Sequence, residues 1–71
     1  MSTETSSLVF THKDIIEALH AAVSLQSFDG IAKYVAQLRE STDAINARIS
    51  ELKVRWWENT AEVAALESVL P

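Results

Sequence analysis

"IAKYVAQLRESTDAINARISELKVRWWENTAEVAALESVL", residues 31–70, decides how the fold of this chain is read. Alternating steps of four and three from Ile31 reach Val35, Leu38, Thr42, Ile45, Ile49, Leu52, Trp56, Asn59, Val63, Leu66 and Leu70. Ten of these twelve positions are apolar, where the 48% hydrophobic composition alone would give roughly six. A 3.5-residue repeat held in phase this long predicts a left-handed coiled-coil seam on a single helix. Asn59, followed three residues later by Glu62, also resembles a capping box that would start a third helix after "WWE". Because the seam keeps its phase through Asn59, one continuous helix from about 31 to 70 is the preferred reading.

Upstream, "LVFTHKDIIEALHAAVSLQS" predicts a first helix over about residues 11 to 27. Thr11 suits an N-cap, Asp14 the positive helix end, and Phe10 with Ile15 a hydrophobic staple. Its apolar side is Ile15, Ile16, Leu19, Ala22 and Val23, and Lys13, Glu17, His20, Ser24 and Ser27 form the polar side. Gly30 suits a left-handed residue ending that helix, with Asp29 in the turn. Residues 1–10 then read as a flexible N-terminal tail and 11–71 as one helical hairpin, a coiled-coil interaction domain.

The totals agree with an all-α fold. One glycine and one proline in 71 residues leave too little turn material for many strands. The absence of cysteine removes disulfides and thiolate metal sites as stabilisers of so small a core. A net charge of −4 opposes general binding to nucleic acid or anionic membrane. No apolar run reaches a membrane span, and "MSTETSS" lacks the basic region of a secretory signal, so an intracellular location, cytoplasmic or nuclear, is expected.

Length turns this fold into an expectation about partners. A second helix of about 40 residues is about 60 Å long, whereas a first helix of about 17 covers about 25 Å. The short helix would shield the seam as far as Ile49 and would not reach Trp56, Val63, Leu66 or Leu70. Another helical chain is therefore expected to cover the rest, completing an intermolecular helical bundle. Trp57 points about 100° away from Trp56 and, with Val54, Ala61, Ala64 and Ala65, marks a second contact face. The expected protein interface is Ile49, Leu52, Trp56, Trp57, Asn59, Val63, Leu66 and Leu70. A parallel homodimer would set Arg48 against Lys53 and Glu62 against Glu67, both repulsive. An antiparallel homodimer places Arg55 opposite Glu62, and a different helical chain fits equally well. A hetero-complex is the preferred partner arrangement.

Sites of chemistry are sparse. His12 and His20 stand eight residues apart with no third strong ligand, which is short of a zinc site. No nucleophile motif or phosphate-binding glycine loop occurs. "KVRWW" could stack on single-stranded nucleic acid, but Glu51, Glu58 and Glu62 dilute its charge. Neither an enzyme nor a cofactor is expected. The predicted role is a structural or scaffold subunit of a larger complex. A small chaperone that sequesters a client helix is the alternative.

Overall fold

The structure, a computed structural model, describes residues 3–71. Among them are three helices and no strand: α1 (Thr3–Ser24), α2 (Phe28–Lys53) and α3 (Trp56–Glu67). α1 and α2 form an antiparallel hairpin, with His12 beside Ser41 near its middle and Glu4 beside Arg48 toward its open end. α3 turns back at that open end and packs against both helices.

α1 begins at Thr3, so the flexible tail is corrected for residues 3–10; Met1 and Ser2 lie outside the described residues. Thr11 is an exposed residue inside the helix and Phe10 is exposed, so neither the cap nor the staple forms there. The reason is a longer repeat. Thr5, Leu8, His12, Ile15, Leu19 and Ala22 follow steps of three and four, and all six are buried or half-buried. Two of them, Thr5 and His12, are polar, which hides the repeat from a count of apolar residues. Each has a polar partner: Thr5 Oγ1 donates to Glu62 Oε2 at 3.1 Å, and His12 Nδ1 shares a 2.8 Å hydrogen bond with Ser41 Oγ.

The α1–α2 turn also differs from expectation. Gln26 N–H donates to the Val23 carbonyl and Ser27 N–H to that of Ala22, the bond pair of a Schellman ending. The left-handed residue is Gln26, with φ 54°, rather than Gly30. Gly30 lies in the first turn of α2, where its N–H donates to the N-cap Ser27 Oγ at 3.3 Å. A Cβ there would stand 3.3 Å from Ala22 Cβ and 3.0 Å from Ser27 Oγ. Glycine thus serves a close approach of the two helices, not a helix ending.

The continuous second helix is corrected as well. It breaks at Val54–Arg55, and Arg55 takes φ −125°, ψ 58°. Asn59 also leaves helical geometry, at φ −123°, ψ 18°. Its side-chain amide donates to the carbonyls of Leu52 (3.2 Å) and Arg55 (3.1 Å). Both carbonyls also accept a backbone N–H, Leu52 from Arg55 at 3.2 Å and Arg55 from Glu58 at 3.0 Å, so Asn59 adds a second bond to each and ties α3 to the end of α2. The capping-box reading, a third helix starting after "WWE", is not what forms: the break falls earlier, α3 already begins at Trp56, and the Glu62 carboxylate accepts from Thr5 instead.

Folding α3 back places the core. Ile45, Ile49 and Leu52 of α2 meet Val63 and Leu66 of α3, and Leu8, Val9, Val69 and Leu70 pack at the edges. Val63 is 3% exposed and Leu66 fully buried, so the hairpin of a short helix on an over-long one is replaced by a chain that covers much of its own seam.

Candidate interaction surface

The expected interface residues divide into three groups in the structure. Ile49, Leu52, Val63 and Leu66 are buried inside the chain, and Leu70 packs half-buried against them. Asn59 is half-buried, holding the bend. Trp56 and Trp57 lie on the surface, 51% and 71% exposed. The length comparison allowed only α1 to cover the seam, and in the structure α3 covers it too.

The bend creates the surface that the tryptophans occupy. Where the chain leaves α2, Val54, two residues before Trp56, is 76% exposed, so three large apolar side chains within four residues reach solvent at this corner. At about 150–250 Å² for a whole aromatic residue, the exposed parts of this corner sum to several hundred Å². That is the scale of the largest apolar patches found on soluble monomers, which are often functional. From the corner the outer face of α3 continues through Thr60, Ala61, Ala64 and Ser68, all exposed and uncharged. Thr60 and Ser68 turn their hydroxyls onto the Trp56 and Ala65 carbonyls, which leaves this face with few free donors. Charge sits beside it: Arg55 pairs with Glu58 at 3.7 Å and Lys53 with Glu67 at 3.5 Å. These pairs are exposed and contribute little to stability, but they neutralise the rim of the patch.

A second apolar region lies at the other end of the rod. α3 packs on α2 from Ile45 onward, so the earlier seam residues Ile31, Val35, Leu38 and Thr42 have no third helix over them. Val35 is exposed, and Leu38 and Thr42 line a shallow groove with Arg39 and Asp43. Leu25 and Phe28 project at the hairpin tip. The sequence repeat marks the seam here and, continued one step back, reaches Phe28, but it misses Leu25 and Val54, which lie off its phase. Their exposure follows from the turn and the bend, and no periodicity marks it.

His20 is exposed, whereas His12 belongs to the hairpin interior and is not part of a solvated face. Among the described residues no three histidine or acidic side chains converge to hold a metal, and no helix is long and apolar enough to cross a membrane. No family model matches this chain, and no curated protein or solved structure matches it either.

Proposed function

We propose that this protein is a small non-enzymatic interaction subunit that joins a larger assembly by docking against other helical chains. The observation that carries the reading is the corner of Val54, Trp56 and Trp57, with the uncharged outer face of α3 beside it. Tryptophan concentrates binding energy at interfaces because it buries a large area with few rotatable bonds. Leaving two of them adjacent and exposed at a bend opposes solubility, and a partner surface relieves that cost. Small Ala61 and Ala64 allow a partner helix to approach α3 closely. The role is structural or scaffolding, in a hetero-complex.

Size fractionation of the native protein from its source cells tests this. The wild-type chain should migrate far above its 7.9 kDa. A chain carrying Trp56→Ala and Trp57→Ala should shift toward the free form, its partner affinity lowered tenfold or more, about 2 kcal/mol or above. Free migration of the wild-type chain at native concentration sinks the proposal.

A further inference from the structure

We infer that α3 exchanges between two copies of this chain, α2 and α3 straightening into one helix while each α3 docks on the α1–α2 hairpin of the other copy. The inference rests on the interaction-module reading above and names a second copy as one partner.

The break itself points to exchange. Residues 31–70 contain neither glycine nor proline, so nothing covalent enforces a bend. Val54 already holds helical angles (φ −56°, ψ −35°), and only Arg55 and Asn59 depart from them. Returning those two to helical angles restores the backbone bonds across residues 51–59, in place of the two Asn59 side-chain bonds that hold the bend. The seam then runs in phase from Ile31 to Leu70, as the sequence spacing requires.

A second copy fits the straightened helix without new chemistry. Every contact of α3 with the hairpin can re-form between copies: Val63 and Leu66 on Ile45, Ile49 and Leu52, Glu62 on Thr5, and Glu67 on Lys53. A hinge of two residues, Val54 and Arg55, is short, and short hinges favour exchange between copies over closure within one. Closure in one chain competes with an effective local concentration on the order of millimolar, so the exchanged dimer forms at high protein concentration.

The experiment mixes equal amounts of light-isotope and heavy-isotope chains, refolds them together at about millimolar concentration, and separates dimer from monomer. Coupling amines to carboxylates without a spacer then joins Lys53 to Glu67, which stand 3.5 Å apart. In the dimer, about half of the Lys53–Glu67 products should carry one light and one heavy partner, as random pairing of exchanged copies requires. Products of single isotope only, in a dimer, overturn the exchange. Asn59→Ala, which removes the clamp and favours helix, should raise the dimer fraction about tenfold. A glycine-rich insert of three residues between Val54 and Arg55 should lower it by about as much. A dimer indifferent to both changes, or a wild-type chain and Asn59→Ala variant monomeric at every concentration, overturns it too. If the isolated chain stays monomeric yet migrates in a large assembly in native extract, exchange fails and the interaction-module reading stands. An exchanged dimer without larger assemblies supports exchange and removes the hetero-complex.

Discussion

Gln26 and His12 show how single residues carry parts of this fold that composition hides. At φ 54° Gln26 holds a conformation in which a side chain costs about 1–2 kcal/mol relative to the right-handed region, and glycine does not bear that cost. Gln26→Gly should therefore raise unfolding stability by about 1 kcal/mol, read as a higher urea midpoint with an unchanged slope. A lower midpoint would mean that the Gln26 side chain contributes more than its backbone costs. His12 is the converse case, a polar group buried in a helix interface and bonded to Ser41. His12→Ala removes a ring from a closed space and leaves the Ser41 hydroxyl without that bond, at a cost of about 2–3 kcal/mol in urea unfolding. Ser41→Ala, which deletes no comparable volume, should cost about 1 kcal/mol. Equal, negligible losses would place the histidine at the surface, where the apolar pattern alone would put it.

Among the elements, α3 decides which part of one seam is core. Leu66 and Val35 are both apolar residues of the same 3.5-residue repeat, yet Leu66 is fully buried and Val35 is exposed beyond the reach of α3. Leu66→Ala should destabilise the isolated chain by about 2–5 kcal/mol, whereas Val35→Ala should cost under about 1 kcal/mol. Thermal melts of the two variants check this contrast. Equal small losses would mean that α3 does not dock within the chain. α1 reaches further than its apolar pattern because Thr5 and His12 continue the repeat with hydrogen bonds in place of hydrocarbon. Its ion pair from Glu4 to Arg48 is long, at 3.6 Å, and the exposed Glu4 limits its worth. Packing of Leu8 and Val9 on the core does more to hold the first turns of α1.

At the scale of the whole molecule, shape governs what stays exposed. The chain extends 44 × 19 × 16 Å with a radius of gyration of 13.7 Å. A compact domain of this length would have about 11 Å. The surface is correspondingly large, 4946 Å² against roughly 4,400 Å² for a typical folded monomer of this mass. A rod cannot bury both ends, and here each end carries apolar residues: Val54, Trp56 and Trp57 at the bend, Leu25 and Phe28 at the tip. Trp57→Ala should therefore leave the melting of the isolated chain nearly unchanged, within about 1 kcal/mol, while weakening assembly. A large drop in melting temperature with assembly intact would put Trp57 in the core and remove the corner as an interface.

The amino-acid sequence by itself determined the class of structure, because helical periodicity and the scarcity of glycine and proline are local properties. It determined the α2 seam through Ile45, Ile49 and Leu52, but no spacing marked the break at Val54–Arg55. It did not determine whether the seam would close within the chain or between chains. Both closures bury Val63 and Leu66 against the same residues of α2, and a periodic pattern is blind to which chain supplies them. Only the tertiary structure decided that. Two residues leave helical geometry, Asn59 bonds the Leu52 and Arg55 carbonyls across the break, and α3 folds back on the core. That closure covers Leu66 and, for the same reason, turns Trp56 and Trp57 outward.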